Sequence, residues 1–230
     1  MVAAVLATWP AAELASAGGF TLRRGAGGGN RTSAATLDAP PGEIATAAAR
    51  MRAWGQRPVF MIRPGEAALD AALAAQGYEA YDHTLVLAAA AAPLAGADVE
   101  RAIFGEMPLR AMTDVWAAGG IGPDRLAVMA RAASPKVYLL GRLHDRVAGA
   151  GFAALAGDAA VLHAIEVAPG ARRTGIASAM VHAAATWATE QGGTRLLLAV
   201  TRENAGAIAL YRWLGFEEAT AYHYRRAPAE

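Results

Sequence analysis

The chain has 230 residues, a formal net charge of +1, 55% hydrophobic residues and no cysteine. A charge that small, with no long run of one sign, argues against a nucleic-acid partner. Without cysteine there are no disulfides, thiolate metal sites or acyl-cysteine intermediates, and five scattered histidines in no HExxH or other ligand spacing point to no metal.

The length fits one large domain or two small ones. The longest apolar stretch, residues 85–92, stops at Pro93, far short of the ~20 residues of a membrane span. The first 17 residues end in Ala15-Ser16-Ala17 like a signal peptide. They lack a basic n-region, however, and Pro10 and Glu13 interrupt them, so a cytoplasmic protein with no membrane partner is expected.

In chain order, residues 20–24 and 31–37 read as two strands joined by the flexible run Gly25-Ala26-Gly27-Gly28-Gly29. That run is a poor phosphate loop, because the residues after it alternate like a strand and open no helix. Pro40-Pro41-Gly42 breaks the chain before a helix at about 43–54. A strand at 59–62, a helix at 65–75 and a strand at 84–87 follow, and residues 88–96 form an Ala-Pro-Gly linker. Beyond it come helices at about 99–117 and 123–132, then strands at 136–143 and 147–155 joined by His144-Asp145-Arg146.

Residues 161–167 are an apolar, partly β-branched strand ending at Pro169-Gly170. From Gly175 the apolar residues Ile176, Met180, Val181, Ala184 and Trp187 recur at helical intervals up to about Gln191. Arg172 to Gly175 thus lies at a strand-to-helix turn. There the first N–H groups of the helix lack internal partners and its dipole favours an anion. Gly175 permits close approach, and Arg172 and Arg173 add charge suited to a pyrophosphate. Alone, such a turn reads equally as a surface turn with two solvated arginines. It is neither a Walker loop nor a dinucleotide fingerprint.

A short strand at 196–200 leads to a helix capped by Asn204, with Ala207, Leu210, Tyr211 and Leu214 at helical spacing and Gly215 as its stop. Arg172, Gly175 and Ala177 match Q/R-x-x-G-x-G/A, and residues 204–216 match N-x-x-A-x-x-L-Y-x-x-x-G-F. In this order and at this separation the two segments resemble the acyl-CoA-binding signature of the GNAT N-acetyltransferase superfamily. The resemblance is specific over residues 161–216 and architectural elsewhere.

The resemblance implies an α/β (α+β) fold with a mixed, mostly antiparallel twisted sheet flanked by helices. It implies acetyl-CoA as co-substrate, its pantetheine arm against the main chain of Ile165 and Val167. The pyrophosphate would lie on Arg172, Arg173, Thr174, Gly175, Ile176 and Ala177, with Asn204, Ala207 and Tyr211 also lining the site. Tyr211 would be the general acid beside the thioester sulfur. A thiol of pKa ~8.5 needs only modest help to leave, whereas an ammonium near ~10.4 needs a base. His163 and Glu166 are the candidates, and a regular strand would send them to opposite faces unless a bulge intervenes.

Gly77 and Gly215 lie 138 residues apart, and at that offset Val59 falls on Leu197 and Tyr78 on Phe216 without a gap. This reads as two GNAT-like units in tandem: a degenerate one over 1–92, with Glu66 and Leu73 at the positions of Asn204 and Tyr211, and a complete one over 97–230. Any strand-helix-Gly-aromatic-strand run would align with another, so the offset is a test for the fold. The expected function is N-acetyl transfer to a primary amine of a small molecule or peptide, by a monomer or homodimer. The alternative is an inactive acyl-CoA-binding regulator or scaffold.

Overall fold

The computed structural model describes residues 1–229. Helix α1 (Val2–Ala7) is followed by strands β1 (Glu13–Ala17) and β2 (Phe20–Arg24), helix α2 (Asn30–Ser33) and strand β3 (Thr36–Leu37). Helix α3 (Ile44–Ala53), strand β4 (Val59–Ile62), helix α4 (Ala67–Ala75) and strand β5 (Glu79–Ala90) complete the first part. After a 3₁₀ turn (Ala92–Leu94) come β6 (Ala102–Gly105), α5 (Arg110–Ala118), α6 (Pro123–Arg131), β7 (Lys136–Leu143), β8 (Arg146–Ala156) and β9 (Ala159–Val167). A second 3₁₀ turn (Pro169–Ala171) leads to α7 (Ile176–Glu190), β10 (Arg195–Thr201), α8 (Ala205–Trp213) and β11 (Glu217–Arg226).

Two segments differ from the sequence expectation. The strand expected over 31–37 opens as a helical turn, because Thr32 Oγ1 and Ser33 Oγ bond back to the Gly29 carbonyl at 2.9 and 3.0 Å. Such local side-chain bonds compete with a strand ladder. The helix expected over 99–117 divides in two. Ile103 and Phe104 pair with Leu140 and Leu139 of β7, and Pro108, which disfavours helical backbone in the residue before it, delays the helix to Arg110.

A three-stranded sheet has the order β1-β2-β3, and an eight-stranded sheet runs β4-β11-β5-β10-β9-β8-β7-β6. Every pair in the large sheet is antiparallel except β9 with β10, which α7 joins by a crossover. On one face α7 buries Ile176, Met180, Val181 and Trp187. On the other, α5 and α6 bury Met112, Trp116 and Val128 over Tyr138, Ala150 and Phe152. Val5 of α1 extends this second face over Val86, Val161 and Leu197.

Strands from residues 1–92 and from 97–230 alternate at one end of the large sheet: β5 lies between β10 and β11, and β11 between β4 and β5. The register has a two-fold regularity. Leu197 pairs with Ala88 and Val200 with Leu85; shifting each partner by 138 residues gives Arg226 with Val59 and His223 with Ile62, both observed. Between β5 and β11, Glu217 pairs with Ala88 and Arg226 with Glu79, again exchanged by the same shift. The two stretches are therefore related by a pseudo-dyad running between β5 and β11.

Close packing of α7 on the sheet depends on two glycines. A Cβ at Gly141 would lie 2.4 Å from Ile176 Cγ2, and one at Gly149 would lie 2.8 Å from the same atom. Overpacking of this kind costs about 1–3 kcal/mol. Gly141→Ala is expected to lower unfolding free energy in urea by about that amount, and Ile176→Ala in the same chain should recover part of the loss. An additive double variant would contradict this contact as the cause.

Candidate active site

The site begins where two strands part. Parallel pairing of β9 with β10 runs from Ala159↔Arg195 to Leu162↔Leu198 and goes no further. The β10-facing edge of β9 beyond Leu162 thus has no strand partner. On its other edge His163 pairs with Phe152 and Glu166 with Ala150, so Ala164 and Ile165 together face Gly151. This is a β-bulge, with Ala164 at φ 51. Trp116 pins it, its indole Nε1 donating to the Ala164 carbonyl at 2.8 Å. Gly151 makes room, since a Cβ there would lie 2.5 Å from Ile165 Cδ1.

The bulge changes the faces. Phe152 and Ala150 both belong to the core under α5 and α6, so their partners His163 and Glu166 lie on that same face. Ile165 and Val167 pack instead with the α7-side core. The alternation expected of a regular strand does not hold here.

His163 is buried and fully engaged. Arg31 Nη1 lies 2.9 Å from Nδ1 and Thr8 Oγ1 lies 2.8 Å from Nε2. Arginine can only donate, so Nδ1 accepts and Nε2–H donates to Thr8, whose own hydroxyl donates to the Ala4 carbonyl at 2.8 Å. Burial first, and the Arg31 charge second, hold His163 well below the ordinary histidine value of 6.5. Glu166 is more open. It accepts from Arg172 Nη2 at 3.3 Å and lies over Gly119 at the end of α5, where a Cβ would come within 2.6 Å of its carboxyl carbon.

The turn before α7 has the geometry of an anion site. Thr174 Oγ1 donates to the Ala171 carbonyl at 2.7 Å, Arg173 sits at φ 64 and Gly175 at φ 88. Gly175 is the N-cap residue, and no side chain caps the helix. The backbone N–H groups of Ile176 and Ala177 therefore have no partner inside the helix, and nothing acidic occupies the first turn. Arg173 is exposed, and Arg172 also donates to the Val167 carbonyl at 3.3 Å. A third guanidinium, Arg101, donates to the Thr174 carbonyl, and its Nη2 lies 3.2 Å from where a Gly175 Cβ would be. The sequence carries no signal for Arg101, which reaches the turn across 73 residues. Three guanidinium groups around an uncapped helix start suit a diphosphate.

On α8, Asn204 Oδ1 accepts from the Ala207 backbone N–H at 3.1 Å, so both residues form the helix cap. Tyr211 is buried in the α7-side core, its ring edge-on to Phe216 with centroids 5.6 Å apart. Its hydroxyl bonds to no described residue. Because no buried side-chain polar atom among them lacks a partner, that oxygen must reach the surface. Burial raises Tyr211 to about 12, so it stays protonated.

Residues 109–216 match the family model described as acetyltransferase (GNAT) family. Over 71 residues the chain is 45% identical to streptothricin acetyltransferase of Streptomyces lavendulae. That match covers 29% of this chain and 38% of the relative, so the chain spans well under half of that protein. Among solved structures, a GCN5-related N-acetyltransferase from Kribbella flavida superposes with a TM-score of 0.68 at 18% identity, covering 96% of this chain and 91% of that one. A tandem GNAT protein from the clavulanic acid biosynthesis pathway superposes at 0.61 and 15% identity, covering 92% and 79%. At these identities the superpositions show the fold. Over residues 109–216 the chain belongs to the GNAT acetyltransferase family.

The buried histidine has a consequence for stability. The unfolded chain protonates His163 near 6.5 and the folded chain does not, so the unfolded state binds more protons on acidification. Stability should be level above that value and fall below it, by at most about 1.4 kcal/mol per pH unit for this group. His163→Gln is expected to flatten the acid slope measured by urea unfolding between about pH 7 and pH 5. Equal slopes in both proteins would contradict the assignment.

Proposed function

We propose that the protein is an N-acetyltransferase that moves the acetyl group of acetyl-CoA to a primary amine by direct attack in a ternary complex. The observation that carries this reading is the uncapped, glycine-started α7 beside the unpartnered edge of β9. Ile165 and Val167 offer that edge to an amide-bearing arm. Arg172, Arg173, Arg101 and the α7 N–H groups offer charge and donors to a diphosphate.

In the proposed reaction the amine nitrogen bonds to the acetyl carbon and the carbon–sulfur bond breaks. Glu166 takes the proton of the incoming ammonium, directly or through water. His163 is the weaker candidate, because its one lone pair is occupied by Arg31. Tyr211 donates a hydrogen bond to the sulfur as negative charge develops there. Full proton transfer from a phenol at about 12 to a thiolate of pKa ~8.5 would be uphill by roughly 5 kcal/mol, so the hydroxyl acts as a donor that keeps its proton.

The 138-residue pairing symmetry supports a further part of this reading, two GNAT-like units in tandem. In it the first unit keeps the strands and loses the diphosphate turn, with Glu66 and Leu73 where Asn204 and Tyr211 stand.

Tyr211→Phe is expected to lower kcat by about 10²-fold while acetyl-CoA affinity changes little, as followed by thiol release and calorimetry. In the wild type no alkaline loss of rate from Tyr211 should appear until pH approaches about 12. Unchanged kcat at saturating acceptor would remove Tyr211 from the mechanism.

A further inference from the structure

A cavity of about 220 Å³ opens at the mouth of the splay, with Ala164 of β9 and Ala199 of β10 in its lining. It is small beside the roughly 300–1,000 Å³ of drug-sized sites. Three charged residues line it: Arg31, Asp82 and Arg125. Two of them come from the first 92 residues and one from α6, so neither stretch builds the cavity alone.

The charges are held differently. Asp82 stands at φ 52 in a bulge of β5 and accepts from Asn30 Nδ2 at 2.7 Å, while Asn30 Oδ1 accepts from the Tyr81 hydroxyl at 3.0 Å. Arg31 is half-buried, with its guanidinium carbon 5.3 Å from the Trp9 ring centre and one nitrogen on His163. Arg125 is exposed, and its Nη2 lies 3.9 Å from where a Gly29 Cβ would be. Among the described residues neither arginine forms an ion pair. Two guanidinium groups without a carboxylate, one of them half-buried and locked by His163 and Trp9, are placed to receive an anion.

Resting on the acetyltransferase reading, we propose that this cavity is the acceptor site and that the acceptor is a small amino carboxylate. Its carboxylate lies between Arg31 and Arg125. Its ammonium passes Asp82, the sole carboxylate of the lining, towards the gap between Ala164 and Ala199. The fixed His163–Arg31 bond gives the buried histidine a positioning role: it holds the guanidinium that meets the substrate.

The test is calorimetric titration with β-alanine and 4-aminobutyrate against propylamine, butylamine and 1,4-diaminobutane, with and without free CoA. The amino carboxylates should bind at least about tenfold tighter than the matched amines, as charge-assisted bonds to arginine require. Arg125→Gln should shrink that ratio and Arg125→Lys restore part of it. Equal or tighter binding of the amines or the diamine, or a ratio untouched by Arg125→Gln, overturns the proposal. Binding of CoA without any amino carboxylate sinks the acceptor assignment and leaves the enzyme reading intact. Amino-carboxylate binding in a protein that takes no CoA supports the cavity and sinks the enzyme reading.

Discussion

One hydrogen bond, from the Trp116 indole to the Ala164 carbonyl, holds β9 in a shape that a regular strand would not take. The bulge it fixes ends the ladder to β10, frees the main-chain edge of Ile165 and Val167, and turns His163 and Glu166 to one face. A positive φ at alanine costs energy that only surrounding packing can hold in place. Here Trp116 is fully buried, edge-on to Tyr138, and Gly151 leaves the space that Ile165 fills. The opening between the strands is therefore built into the core and does not wait for a ligand.

The two sides of that opening have opposite chemistry. On the α7 side lie an uncapped helix start, three guanidinium groups and a tyrosine hydroxyl that burial keeps protonated. On the α5/α6 side lie Glu166 and a small cavity with two unpaired arginines and one carboxylate. A donor held by phosphates on one face and an acceptor held by charge on the other would meet only at the gap. The interleaved strands matter for the same reason. Because β5 sits between β10 and β11, the first 92 residues form one wall of the cavity instead of a separate lobe.

What could be read from the sequence was local. The turn at Arg172–Gly175 and the cap at Asn204 each depend on neighbours within a few residues, so spacing alone located them. The 138-residue offset was legible because strand, helix and Gly-aromatic signals recur in order, and the register follows it residue for residue. The contacts that complete the site were not legible. Arg101 meets Thr174 across 73 residues, Trp116 meets Ala164 across 48 and Arg31 meets His163 across 132. The segments at 31–37 and 99–117 were misread for a related reason. Hydroxyl-to-carbonyl bonds in the first and a pairing to β7 in the second overrode the pattern of apolar residues.

The central claim is that the start of α7 binds the diphosphate of acetyl-CoA, and calorimetric titration of the purified protein tests it most directly. The comparison is with Gly175→Trp, which puts a side chain where Arg101 already lies 3.2 Å from a Cβ and where φ is 88. The account predicts saturable, one-to-one binding of acetyl-CoA by the wild type and none by the variant that keeps its fold by circular dichroism. No binding by the wild type to acetyl-CoA or free CoA, or equal binding by both proteins, would contradict it.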